Sequence, residues 1–213
     1  MPTYPLTIRE GHLLIDRGSG LELIDTGSPI SMPVPEMARE VVGEDVVHLI
    51  GCDELARAPF VLDLLNHRVE LNSTAEPPHA AASLPLGSVL GVPVLTVGTP
   101  SGDRAAYFDT GAPLCYGDPD DLEGIPVIGE RDDFHPMHGA FRTPVRSVQI
   151  MVGARAVTVE VGELPPTLGV LLGMTGTRWI VGPTAFAGRC LRVELSERGG
   201  RLWDLAAAEM AGT

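Results

Sequence analysis

There is no lysine in this chain of 213 residues: all 15 of its bases are arginine, set against 28 acids, for a formal net charge of −13. Such a balance repels phosphate backbones and anionic membrane surfaces, so neither nucleic acid nor a membrane is expected as a partner. Cysteine is scarce. Cys52, Cys115 and Cys190 form an odd set with no close pair, which argues against a disulfide framework and offers no zinc-type spacing. Three reduced thiols, each a small core residue in the cytoplasm, are expected instead. The first ten residues lack a basic segment followed by an apolar run, so no secretory signal is read there. Long apolar runs are missing too. The stretch from Leu84 to Val97 is broken by Pro85, Gly87, Gly91 and Pro93 and is too short to span a bilayer. Aromatic residues amount to only 5%.

What remains is an ordinary globular composition, 44% hydrophobic and 20% charged, in a length that makes one large domain or two small ones. The 25 glycines and 19 prolines, with many Val, Ile and Thr, lean towards β structure with abundant turns. Internal similarity organises the chain. Gly20-Leu-Glu-Leu-Ile-Asp-Thr-Gly-Ser-Pro-Ile-Ser31 resembles Arg104-Ala-Ala-Tyr-Phe-Asp-Thr-Gly-Ala-Pro-Leu-Cys115, 84 positions further on. Leu49-Ile50-Gly51, with Val61–Leu64 and Leu71, matches Ile180-Val181-Gly182, with Arg192–Leu195 and Leu202, 131 positions further on. Each half therefore runs hairpin, Asp-Thr-Gly, apolar-apolar-Gly, short helical turn, final strand, and the second half holds an insertion.

This order predicts an N-terminal lobe over 1–72, a polar, proline-bearing linker over 73–85, a C-terminal lobe over 86–205 and a tail over 206–213. Strands are expected at 21–24, 60–64, 92–97, 105–108, 145–152, 156–161 and 191–195, with helical turns at 35–42 and 205–210.

A single Asp-Thr-Gly makes an ordinary turn in which Asp bonds its own backbone. Two copies, each behind an apolar strand and each followed by an apolar-apolar-Gly segment, resemble the aspartic peptidases, the family of pepsin and the retroviral proteases. The resemblance covers roughly residues 8–204 and looks like a fused retropepsin pair. It implies a mostly-β, bilobal, acid-protease-like closed β-barrel architecture with an internal pseudo-twofold repeat and a single flap from the second lobe. It also implies that Asp25 and Asp109 are the catalytic pair. Peptide hydrolysis needs a base for water and an acid for the carbonyl oxygen, and two adjacent carboxyls sharing one proton supply both. Thr26, Gly27 and Ser28, with Thr110, Gly111 and Ala112, would support the dyad. The glycines permit the tight turn, and the resemblance has the threonines bonding across the pseudo-twofold. A shared-proton pair predicts a bell-shaped pH profile, and because Ser28 can donate to a carboxylate and Ala112 cannot, its optimum is expected to be mildly acidic.

Only 26 positions separate Asp25 from Gly51, whereas 73 separate Asp109 from Gly182. The single flap is therefore expected in the second half, with its tip near Pro136–Gly139 and with Phe134, His135, Pro136, Met137, His138 and Gly139 touching substrate. His135 and His138 also form a His-x-x-His, but Pro136 and Gly139 argue against a helix and no third ligand cluster stands near. No metal and no cofactor are expected. None of the tyrosines, Tyr4, Tyr107 and Tyr116, falls at the flap, which departs from the pepsin-like pattern. Trp179 reads as a core residue, Asp53 as the Gly-x-Asp of retropepsin-like chains, and the acidic run 117–123 as a solvated turn.

The function expected is an aspartic endopeptidase that acts on an extended polypeptide and works as a monomer. The alternatives are an inactive peptide-binding module of the same fold, or a self-processing or regulatory protease with one client.

Overall fold

Two tight turns set the first hairpin of each half. Glu10-Gly11 (φ 50° and 91°) and Leu90-Gly91 (φ 53° and 82°) both have positive φ at the two central positions, the geometry that matches the twist of flanking antiparallel strands. The computed structural model describes residues 2–79, 81–135 and 138–205. Its first elements are β1 (Thr3–Pro5), β2 (Thr7–Arg9), β3 (His12–Asp16) and β4 (Leu21–Ile24), which lead into the first Asp-Thr-Gly. Then come β5 (Met32–Pro33), α1 (Glu36–Val42), β6 (Val46–Ile50), α2 (Cys52–Leu55), β7 (Phe60–Asp63) and β8 (Arg68–Glu70). The second half opens with β9 (Ala82–Val89), β10 (Val92–Thr99) and β11 (Gly102–Phe108), and β12 (Cys115–Gly117) follows the second Asp-Thr-Gly. Next are β13 (Val127–His135), β14 (Gly139–Val152), β15 (Arg155–Glu163) and α3 (Pro166–Gly173). The last are β16 (Trp179–Val181), β17 (Cys190–Ser196) and β18 (Gly199–Asp204).

The chain is mostly β. Five strands form one sheet in the order β2-β3-β4-β6-β5, and thirteen form another in the order β1-β8-β7-β17-β18-β9-β10-β11-β16-β12-β15-β14-β13. Two parallel pairings place the motifs. β4 lies beside β6 with Ile24 opposite Ile50, and β11 lies beside β16 with Phe108 opposite Val181. The first and last thirds of the chain meet where β7 pairs antiparallel with β17. Val61 faces Arg192 there, flanked by the pairs Phe60–Val193 and Leu62–Leu191. Between the Asp-Thr-Gly motif and Gly51 the chain uses its few residues on β5, α1 and β6. The corresponding stretch of the second half builds the long hairpin β13–β14, whose last pair is His135–Gly139.

The aliphatic core is capped by a few large rings. Phe60, Phe108 and Trp179 are fully buried, and Trp179 donates its indole N–H to Asp121 Oδ2 at 2.9 Å. The acidic run 117–123 is the expected solvated turn only in part: Asp120 and Glu123 are exposed, whereas Asp118 and Asp121 turn inward. Asp118 is buried and accepts from Arg178 at 2.6 Å, and Asp121 receives a two-pronged bond from Arg104 at 2.8 and 2.6 Å. Carboxylates leave water only when such donors replace it, and Arg104, Arg178 and Trp179 converge here to do so. The helical turn at 35–42 is present as α1, whereas the C-terminal turn at 205–210 falls, beyond Leu205, outside the described residues. Among the described residues, no helix is long and apolar enough to cross a membrane.

Candidate active site

Each Asp-Thr-Gly leaves a buried strand and is fixed by its parallel neighbour. The Asp25 N–H donates to Ile50 O at 3.0 Å, and the Asp109 N–H donates to Val181 O at 3.1 Å. Both loops then wrap their own carboxylates. Gly27 N–H and Ser28 N–H donate to Asp25 Oδ1 at 2.8 and 3.1 Å; Gly111 N–H and Ala112 N–H donate to Asp109 Oδ1 at the same two distances.

The threonines bind the loops to each other. Thr26 Oγ1 donates to Phe108 O at 2.6 Å and accepts from Thr110 N–H at 2.9 Å. Thr110 Oγ1 donates to Ile24 O at 2.9 Å and accepts from Thr26 N–H at 3.0 Å. Both side chains are fully buried, so these four bonds have no water to compete with. The carboxyls of Asp25 and Asp109 stand within hydrogen-bond reach of one another. Glycine is required at both 27 and 111 by this approach. A methyl on Gly27 would collide with the Asp109 carboxyl, and one on Gly111 would stand 2.5 Å from Asp25 Cγ.

The electrostatics are asymmetric. Burial pushes both carboxyls above the usual carboxylate range. Asp25 is held back by the Ser28 hydroxyl, which donates to Oδ2 at 2.7 Å, and by its backbone donors. Asp109 has no hydroxyl at Ala112 and is pushed further by the charge of Asp25. The pair therefore favours one shared proton, and the two groups titrate as a unit.

Ser31 Oγ accepts from Gly51 N–H at 2.9 Å, and Asp53 Oδ1 accepts from Ser31 N–H and Oγ, both at 2.6 Å. In the other half Cys115 stands near Thr184, sulfur to oxygen 3.9 Å. Cys52 donates to Thr26 O at 3.1 Å, and burial, together with the two aspartates, pushes its thiol up to about 12, so it stays an inert structural thiol.

The residues expected at a substrate-covering tip fall on the β13–β14 hairpin, and its described residues reach both halves. Phe134 packs on the apolar cluster that includes Leu23, Val34, Ala38 and Val42 of the first half. His138 Nδ1 meets Thr167 Oγ1 on α3 at 2.7 Å and stacks edge-on with Phe141. Burial pushes His135 down to about 4, leaving it neutral. Gly139 has φ 87° and opens β14, and Pro136 and Met137 lie outside the described residues.

Sequence reasoning missed two members of this neighbourhood, Asp133 and His12. Asp133 is buried on the hairpin, accepts from Tyr116 OH at Oδ2, and accepts from Phe134 N–H at 2.7 Å. His12 is buried with Nδ1 2.8 Å from Gly111 O. A charged residue in an otherwise polar run and a lone His at a strand start gave no signal. A cavity of about 580 Å³ lies behind the first loop, lined by Pro29, Cys52, Asp53, Gly91 and Pro93; neither dyad carboxyl borders it.

No family model matches the chain, and no curated protein sequence does. Among solved structures, the solution structure of the simian foamy virus (mac) protease is similar at 20% identity. It has a TM-score of 0.33 and covers 43% of this chain and 89% of the viral protein. At that level of likeness the functional reading rests on the residues and bonds above.

Proposed function

We propose that this chain is a single-chain aspartic endopeptidase of two lobes related by a pseudo-twofold, with Asp25 and Asp109 as its catalytic pair and the β13–β14 hairpin as its one flap. The observation that carries the reading is the reciprocal bonding of the two Asp-Thr-Gly loops, which holds the two carboxyls within hydrogen-bond reach of each other. An Asp-Thr-Gly used only as a turn has no need of a second copy 84 positions away whose threonine hydroxyl it exchanges for its own. The matching register of β7 on β17 supports the same repeat, with lobes over 1–72 and 86–205.

The chemistry follows from the asymmetry of the pair. The Asp25 carboxylate takes a proton from water as the water oxygen attacks the scissile carbonyl carbon, and Asp109 gives its proton to the carbonyl oxygen. The resulting gem-diol collapses as Asp25 passes its proton to the leaving nitrogen and Asp109 recovers one from a diol hydroxyl. The C–N bond breaks, leaving a carboxylic acid and an amine. An extended polypeptide lying beneath the hairpin as an added strand is the substrate. Both motifs are in one chain, so assembly of the dyad needs no second copy. The test is incubation of the purified protein with a denatured protein mixture from pH 3 to 7. Fragments that vanish with Asp25→Asn support the reading. Fragments that persist in both Asp25→Asn and Asp109→Asn, or that require added metal, overturn it.

A further inference from the structure

Among the buried polar side chains that the peptidase mechanism does not use, three border the hairpin or the second Asp-Thr-Gly loop. Asp133, on β13, is 3% exposed. Both of its oxygens are engaged, one by the Tyr116 hydroxyl and one by Phe134 N–H. Tyr116, on β12, is equally buried and packs edge-on against Phe141 of β14 at 6.1 Å between ring centroids. Tyr116 is also close enough to Asp109 to feel its charge.

The third member is His12, at the start of β3 in the opposite half and 4% exposed. A carbonyl oxygen only accepts, so Nδ1 carries a hydrogen and donates it to Gly111 O at 2.8 Å. The other ring nitrogen, Nε2, is buried and has no hydrogen-bond partner among the described residues. Asp133 lies within electrostatic reach of this ring. A buried ring nitrogen left without a hydrogen bond is costly.

We infer that His12, Asp133 and Tyr116 are positioning residues that couple the seating of the hairpin to the loop that carries Asp109. The inference rests on the peptidase reading and deepens it. With the hairpin seated, Asp133 accepts from Tyr116, beside the second loop, and lies within electrostatic reach of the imidazole that holds Gly111 O. Lifting the hairpin strips Asp133 from Tyr116 and takes its charge away from His12, the ring that holds the Gly111 carbonyl. Substrate that seats the hairpin therefore also tightens the geometry of Asp109, from the first half of the chain through His12 and from the second through Tyr116.

The test uses Asp133→Asn, Tyr116→Phe and His12→Gln, with the double variant His12→Gln/Asp133→Asn. Hydrogen exchange reads the tether without any need for activity. In Asp133→Asn and Tyr116→Phe the β13–β14 amides should exchange on the order of tenfold faster, the worth of one buried bond to a carboxylate, while the β7–β17 amides are unchanged. In the cleavage assay Asp133→Asn and Tyr116→Phe should raise KM. His12→Gln should lower kcat by about tenfold with little change in KM, and the double variant should fall well short of the product of the single effects. Singles that multiply in the double variant, or hairpin exchange unchanged in Asp133→Asn, would overturn the inference. Asp25→Asn run in parallel separates the two claims: persistent cleavage there refutes the peptidase reading, while the exchange data still judge the tether.

Discussion

Removing the Thr26 hydroxyl while keeping its shape, Thr26→Val, attacks the bonds that hold the two loops together. The hydroxyl makes two fully buried bonds, donating to Phe108 O and accepting from Thr110 N–H, and neither partner can turn to water. Stranding one buried polar group costs about 1–3 kcal/mol, so the pair amounts to roughly 2–6 kcal/mol. The added methyl replaces an oxygen of similar size, and cavity and strain effects stay small beside this. For a chain of this size about 1 kcal/mol moves the melting temperature by about 2–4 °C, so a loss on the order of 10 °C is expected. Guanidinium unfolding of wild type, Thr26→Val, Thr110→Val and Thr26→Ser measures it. The two valine variants should lose similar amounts, because each strands one amide and one carbonyl. Thr26→Ser should lose only the smaller cost of a methyl, about 1 kcal/mol. A Thr26→Val protein within 0.5 kcal/mol of wild type, a margin of roughly the usual surface-substitution effect, would refute the claim that these bonds carry the interface.

Three further outcomes follow from the same geometry. Ser28→Ala removes the hydroxyl that holds Asp25 down, so its carboxyl rises and the acidic limb of the pH–rate profile moves towards neutrality; an unmoved limb would show that Ser28 does not set it. Gly27→Ala places a methyl against the Asp109 carboxyl and should abolish cleavage and lower the melting temperature, whereas Gly129→Ala, where nothing lies within 4 Å of the new methyl, should do neither. Replacing 135–140 with a short Gly-Ser turn should leave the melting temperature near wild type and reduce turnover of peptides by at least about tenfold, the usual scale for lost positioning. Full turnover by that variant would remove the hairpin from the mechanism.

The dyad and its two threonines were legible because their chemistry is local and written twice. Asp-Thr-Gly followed by a small residue and proline fixes a turn, and an apolar-apolar-Gly at a common spacing supplies the parallel strand beneath it. The hairpin was harder to read. Val127–Asp132 is exposed on both faces, so β13 shows no alternation of apolar and polar residues, and only its pairing with β14 makes it a strand. The acidic run 117–123 misled for a related reason. Asp118 and Asp121 turn inward because Arg104, Arg178 and Trp179, which are distant in sequence, supply their donors. His12 and Asp133 were silent because neither sits in a motif: the partner of His12, Gly111, lies in the other half, and that of Asp133, Tyr116, lies on another strand. Such contacts exist only after the chain has folded.

The claim at the centre of the account is that Asp25 and Asp109 act as one proton-sharing unit. The direct measurement is a 13C-carboxyl NMR titration of the two residues in the intact protein, followed in the wild type and in Asp109→Asn. The account expects two coupled steps in the wild type, with the higher one above the ordinary carboxylate range and felt at both carbons, and a single step for Asp25 once Asp109 is replaced. Two independent titrations in the ordinary range, unchanged for Asp25 in Asp109→Asn, would contradict it.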